Sequence, residues 1–205
     1  EGTAIIPADM REFYSSLPFQ LTGAQKRAID EALLDMAKPI PMSRLVQGDV
    51  GSGKTVVAAA CCYNAFKSNL QSAFMAPTEI LSMQHYETLS SMLSPLGIKV
   101  DLLKGSMKAR EKRAVLEKLE SGETDVLVGT HAIISENVKF KNLSLVITDE
   151  QHRFGVNQRA ALTAKGISPH VMVMSATPIP RTLALMIYGD LDISIINELP
   201  PGRQK

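Results

Sequence analysis

The stretch Leu45-Val46-Gln47-Gly48-Asp49-Val50-Gly51-Ser52-Gly53-Lys54-Thr55 constrains the fold of this chain more than any other. A short apolar run passes into a Gly-rich turn and then into an Ala-rich segment suited to a helix. Gly48, four residues, then Gly53-Lys54-Thr55 is the G-x-x-x-x-G-K-[ST] spacing of a phosphate-binding loop. Glycines admit positive φ and let backbone N–H groups close on an anion. The helix that follows adds the positive end of its dipole. In that geometry Lys54 reaches the β- and γ-phosphates of a nucleotide, and the Thr55 hydroxyl ligates Mg²⁺. Gly48, Asp49, Val50, Gly51, Ser52, Gly53, Lys54 and Thr55 are therefore the candidate nucleotide-binding residues. The alternative is a chance Gly-rich turn ahead of a helix, and the strand–loop–helix context argues against it.

Around this loop the chain alternates between short apolar runs and helical segments. Strands are expected at 44–47, 73–75, 99–103, 126–128, 143–148, 170–174 and 193–196, and helices at 54–67, 80–92, 107–120 and 182–188. Short, continuous apolar strands are buried on both faces, and helices between them are crossovers, so the expected fold is α/β with a mainly parallel sheet and helices on both faces. Thr22 with Gln25 three residues later is a capping-box pattern for a further helix running to about residue 37. Gln25 is thus either a cap partner or an amide facing the adenine edge of a nucleotide. Phe19 is either a staple for that helix or a stacking surface for the base. Residues 1–18, with Gly2, Pro7 and Pro18 and no clear period, read as a linker with a short helix around 9–16.

In parallel α/β sheets ligands bind beyond the carboxyl ends of the strands. Polar clusters concentrate there. Leu145-Val146-Ile147-Thr148-Asp149-Glu150 delivers two acids at the end of a buried strand. Asp149 is suited to hold Mg²⁺ beside Thr55, leaving Glu150 to orient or deprotonate an attacking water. The bland alternative is a pair of exposed loop acids. Ser175-Ala176-Thr177 follows another strand and places two hydroxyls on one side of an extended chain. It is either a link from the acids to movement or a Ser/Thr turn ahead of Pro178.

Composition narrows the class. The 205 residues carry a formal net charge of +1, so a protein that coats nucleic acid through sheer basicity is excluded, while a local basic surface is not. Trp is absent, and the core is expected to be aliphatic. Cys61 and Cys62 are adjacent in a predicted helix, where disulfide geometry with each other is out of reach. They read as small buried side chains in a reducing compartment. No apolar stretch reaches membrane-spanning length.

Taken together, these segments resemble the first RecA-like motor domain of superfamily 2 helicases. Gly48 to Thr55 resembles motif I, Ala76-Pro77-Thr78-Glu79 motif Ia and Gly129-Thr130-His131 motif Ib. Asp149-Glu150-Gln151-His152 resembles motif II of the Asp-Glu-x-His class, and Ser175-Ala176-Thr177 resembles motif III. Three longer strings, Gly48 to Thr55, Asp149 to Val156 and Ser175 to Ala184, resemble the RecG family of bacterial branched-DNA translocases, and the first and third are also similar to those of the related transcription-repair coupling factors. Their motif II usually reads Asp-Glu-Glu-Gln, so His152 favours the resemblance to the RecG family.

The resemblance, which covers about residues 19–203, implies ATP-driven translocation on branched or double-stranded DNA, with ATP and Mg²⁺ as cofactors, in the bacterial cytoplasm near the nucleoid. It implies Lys54, Asp149, Glu150 and His152 as catalytic residues, Phe19 and Gln25 at the base, and Gln151, Ser175 and Thr177 in coupling. It implies Thr78, Ser106, Thr130 and His131 along the DNA backbone, although His152 also reads simply as a surface histidine. Residues 19–198 are expected to form the ATP-binding domain. Residues 1–18 and 199–205 are expected as linkers to a wedge domain and to a second RecA-like domain carrying an arginine finger, both in a longer parent chain. An RNA helicase or restriction-type motor of the same superfamily is the second reading, and a non-catalytic nucleotide-gated interaction module the third.

Overall fold

Seven strands carry the fold: β1 (Ser43–Gly48), β2 (Gln71–Met75), β3 (Val100–Leu103), β4 (Val126–Gly129), β5 (Leu143–Thr148), β6 (His170–Ser175) and β7 (Asp192–Ile196). They are seen in a computed structural model that describes residues 3–48, 53–149, 167–176 and 192–196. The sheet order is β3-β4-β2-β5-β6-β1-β7, and every pairing is parallel. The expected strands all form, most of them extended by a residue or two. The helix expected at 182–188 lies outside the described residues.

The described helices are α1 (Arg11–Ser16), α2 (Gly23–Met36), α3 (Lys54–Lys67), α4 (Glu79–Leu93) and α5 (Ala109–Ser121). Alternate strand residues feed two cores, as the period of two requires. Val46, Phe74, Val128, Ile147 and Met172 pack beneath α2, α3 and α4, and Leu45, Ala73, Leu127, Val146 and Val173 pack on the opposite face. Helix α3 is buried from Val56 through Ala65, which explains its Ala-rich, all-round apolar sequence. Cys61 and Cys62 are free and buried there, and burial pushes the Cys62 thiol up to about 12. Helix α5 is different. It fully buries Leu119 alone and keeps its charged residues outward, as its amphipathic sequence suggests. It ends on Gly122 at φ 86°, a left-handed C-cap.

Residues 3–17, expected as part of a linker, are instead packed. Ile5, Met10 and Phe13 are buried in the core, and the Phe13 ring lies 5.5 Å from Tyr63. The backbone is tied as well. Ile5 N–H donates to the Met36 carbonyl at 2.7 Å, and Ala8 N–H donates to Asn64 Oδ1 at 2.8 Å. His170 Nε2 donates to the Thr3 carbonyl at 2.6 Å, while its Nδ1 accepts the Met42 N–H at 2.8 Å. The apolar residues are too sparse along this segment to show a period, yet three of them reach the core. A second buried polar group joins three elements: Arg44 on β1 donates to Asp35 at 2.8 Å, to Glu31 at 3.1 Å and to Ser194 on β7 at 2.8 Å.

Candidate functional site

The sheet order divides the strand ends into two neighbouring sets. The carboxyl ends of β5, β6 and β1 lie side by side, and so do those of β3, β4 and β2. The first set carries the Lys54–Thr55 loop, Asp149 and Ser175. In register, Gln47 at the end of β1 lies opposite Ser175, and Thr148 of β5 lies opposite Val173 of β6. Ser175, at the end of β6, therefore lies between the strand that precedes Lys54 and the strand that precedes Asp149, although it is far from both in sequence.

Gly53 takes φ 85° and ψ 37° directly before α3, and as the N-cap it has no side chain of its own to cap that helix. The N-terminal turn of such a helix presents N–H donors and the positive end of its dipole, which suits an anion. Lys54 opens α3, and its Nζ donates to the Gly48 carbonyl at 2.6 Å, tying the two ends of the loop. Thr55 is next, half-buried. Asp49, Val50, Gly51 and Ser52 lie outside the described residues.

Gln25 fills the cap role and touches the loop at the same time. Its Oε1 accepts the Thr22 N–H at 2.9 Å, and the Thr22 hydroxyl accepts the Gln25 N–H at 3.1 Å, which completes the capping box. Its Nε2 donates to the Gly53 carbonyl at 3.4 Å. A Cβ at position 53 would overlap that amide. Glycine is thus required there by both φ and space. Phe19 is 43% exposed and outside the core; Leu21 packs against it instead.

Asp149 follows β5 and remains tied to β2 through its N–H, which donates to the Met75 carbonyl at 2.9 Å. Its Oδ2 is 2.8 Å from His85 Nε2 on α4. A carboxylate only accepts, so the histidine nitrogen carries the proton and donates. The His85 ring is also set against Phe74 of β2, centroids 4.6 Å apart. His85 is a site residue that sequence reading missed, since no motif spacing links two residues 64 positions apart. Glu150, Gln151, His152 and Thr177 lie outside the described residues.

The second set of strand ends holds Thr78, Ser106, Thr130 and His131. Thr78, Ser106 and His131 are exposed and Thr130 is half-buried. The Thr78 hydroxyl is engaged as the N-cap of α4, accepting the Leu81 N–H at 3.2 Å. Glu79 Oε1 accepts the Ser106 N–H at 3.0 Å, and that bond holds the Glu79 carboxyl below the usual range. The Ala76 N–H donates to the Gly129 carbonyl at 2.9 Å, joining the β2 and β4 ends. These contacts tie the ends of β2, β3 and β4 together at a polar rim, and Lys108 and Arg110, which follow Ser106 in the chain, are exposed. Among the described residues, no group of three or more His, Cys, Asp or Glu side chains forms a metal cluster. One hydroxyl and one carboxylate, Thr55 and Asp149, nevertheless fit Mg²⁺, which takes few protein oxygens and fills its remaining positions with phosphate and water.

Comparison with known proteins gives a consistent picture. The profile of the DEAD/DEAH box helicase family matches residues 22–186. The chain is 57% identical over 198 residues to the ATP-dependent DNA helicase RecG of Aquifex aeolicus (strain VF5), covering 96% of this chain and 25% of that protein. It is 53% identical over 197 residues to the ATP-dependent DNA helicase RecG of Bacillus subtilis (strain 168), covering 96% and 29%. A solved structure of RecG bound to a three-way DNA junction superposes with a TM-score of 0.84 at 49% identity, over 98% of this chain and 27% of that one. The DNA-bound DUF1998 helicase MrfA shares the fold, with a TM-score of 0.70 at 17% identity over 97% of this chain and 31% of that one. The chain thus spans roughly a quarter of the length of the RecG relatives it matches.

Proposed function

Because this chain belongs to the DEAD/DEAH box helicase family, whose members use ATP, we propose that it is the ATP-binding half of an ATP-dependent DNA translocase that remodels branched DNA, such as stalled forks and recombination junctions. The observation that carries the proposal is the sheet order. It sets the ends of β1, β5 and β6, next to Lys54, Asp149 and Ser175, beside one another and the ends of β2, β3 and β4 beside one another, which supports reading the first group as the nucleotide side and the second as the DNA side. Similarity to RecG solved on a three-way DNA junction supports the choice of DNA.

In this reading the amides of residues 48–55 and the positive end of α3 cradle the triphosphate, and Lys54 leaves the Gly48 carbonyl for the β- and γ-phosphates. Thr55 and Asp149 hold Mg²⁺, whose charge offsets that on the phosphates. Glu150 orients the attacking water and takes its proton. Phe19 offers an exposed ring to the base, and Gln25 braces the loop while lying near the adenine edge. Gln151, His152, Ser175 and Thr177 pass the nucleotide state onward. Thr78, Ser106, Thr130 and His131 meet DNA phosphates, with Lys108 and Arg110 adding charge; such contacts position a backbone without reading its sequence. A second RecA-like domain and a wedge domain of the parent chain complete the motor. Its place is the bacterial cytoplasm, at the nucleoid, and among the described residues no helix is long and apolar enough to cross a membrane.

The test is nucleotide binding and ATPase turnover of the full-length protein with forked DNA, linear duplex and RNA. Lys54→Ala should weaken ATP binding about 10–100-fold, as expected when a charge-assisted hydrogen bond is lost. Forked DNA should stimulate wild-type turnover most. Unchanged ATP affinity in the variant refutes the nucleotide site, and stimulation by RNA alone refutes the DNA assignment.

A further inference from the structure

The two sets of strand ends meet between β2 and β5, and His85 sits at that seam. It lies on α4, two turns from the end that bears Thr78 and Glu79. Its Nε2 donates to Asp149 Oδ2 at 2.8 Å, and the side chains are only 17% and 16% exposed. Its ring rests on Phe74 of β2, which is fully buried. β2 also accepts the Asp149 N–H through Met75. Asp149 is thus held at its backbone by β2 and at its carboxylate by α4. The amino end of α4 is tied to the turn after β3, because Glu79 takes the Ser106 N–H at 3.0 Å.

We propose that His85 is a positioning residue that orients the Asp149 carboxylate for Mg²⁺ and ties that orientation to α4 and, through it, to the Thr78–Ser106 rim. The proposal rests on the nucleotide-site reading above. The physical argument is that a carboxylate at a strand end has free torsions, and a metal site needs one setting of them. A hydrogen bond to one oxygen, from a ring that is itself packed, selects that setting before the metal arrives. Partners of this kind behind metal ligands typically account for 10–100-fold in metal affinity. A shift of α4 would move the Nε2 donor and with it the carboxylate. The same residue therefore gives the rim a mechanical path to the nucleotide pocket.

The test uses the full-length protein and a fluorescent ADP analogue, titrated with Mg²⁺ and again in excess chelator. Four variants are compared: His85→Ala, His85→Asn, His85→Gln and Lys54→Ala. Glutamine places an N–H donor near the Nε2 position, and asparagine does not reach it. Alanine and asparagine should weaken Mg²⁺-dependent binding about tenfold or more, with glutamine within about threefold of wild type. Metal-free binding should change less than about twofold, since His85 acts through the metal ligand. The stimulation of ATPase by forked DNA should fall in the alanine and asparagine variants and recover with glutamine. Wild-type Mg²⁺ dependence in the asparagine variant overturns the proposal. So does glutamine behaving like alanine. If the alanine variant melts, the asparagine–glutamine comparison decides alone. Lys54→Ala separates the two readings: full nucleotide binding in that variant overturns the site itself, whereas loss there with no effect at His85 overturns only the role of the histidine.

Discussion

Gly53→Ala tests whether the loop and the α2 cap share one space. Two costs are visible. Gly53 sits at φ 85°, where an L-residue costs roughly 1–2 kcal/mol. An added Cβ would also overlap Gln25 Nε2. Gln25 is 1% exposed, and its Oε1 holds the Thr22 N–H. The amide cannot swing aside without losing its half of the capping box, about 0.5–2 kcal/mol. The expected total is about 1.5–4 kcal/mol. In a Gln25→Ala background the second cost is absent, and Gly53→Ala should cost only about 1–2 kcal/mol. A double-mutant cycle should then return a coupling of about 0.5–2 kcal/mol. The assay is urea unfolding of the 205-residue chain, followed by circular dichroism for wild type, both single variants and the double. Additivity within about 0.3 kcal/mol would refute the shared space, and a neutral Gly53→Ala would refute the left-handed cost as well.

Three further outcomes are expected. Glu150→Gln in the full-length protein should retain ATP binding and lose about 10²–10⁴-fold in turnover; a rate within about twofold of wild type removes the general-base role. Arg44→Ala leaves the buried Asp35 carboxylate without its guanidinium and should cost about 3–5 kcal/mol in urea unfolding, whereas Arg44→Met with Asp35→Leu should recover most of it. A single-variant cost below about 1 kcal/mol refutes the buried pair. Burial lowers the His170 pKa below its usual 6.5, and Nδ1 must stay unprotonated to accept the Met42 N–H. Its folded pKa is depressed, so its contribution is complete above the unfolded value and is lost as pH falls through the folded one. The melting temperature should drop on acidification from neutral pH through the histidine range, and His170→Asn should flatten that part of the profile. An identical slope in both proteins would contradict it.

What could be read from the residues was whatever is local. Helix α3 starts and ends where expected because Gly53 and Ser68 bound a segment dominated by the apolar run Val56 to Tyr63. The Thr22–Gln25 box and the Gly122 cap were legible because each lies within four residues. The buried parallel strands showed through their continuous Val, Ile, Leu and Met runs. Contacts between distant residues left no such trace. Arg44 and Ser194 meet across 150 positions, His170 and Thr3 across 167, and His85 and Asp149 across 64. Nothing in the local pattern of Ile5, Met10 and Phe13 distinguishes a packed arm from a linker. Thr78 shows a different gap: its place in a motif suggested an outward contact, while its place before Glu79 made it an N-cap. The two readings use the same hydroxyl, and spacing alone does not rank them.

The strand order also sets a timetable for folding. β1 is the first of these strands to leave the ribosome, yet its pairings are to β6 and β7, so Ser43 waits for Val171 and Arg44 for Asp192. The strands β2, β3, β4 and β5 can meanwhile zip together among themselves. Chain closure over such long separations is slow. The phosphate loop therefore gains its sheet neighbours only after nearly the whole domain has been synthesised. A nascent chain arrested before His170 should hold the β2–β5 half of the sheet but no nucleotide, and nucleotide capture by such a chain would show that β1 does not need its late partners.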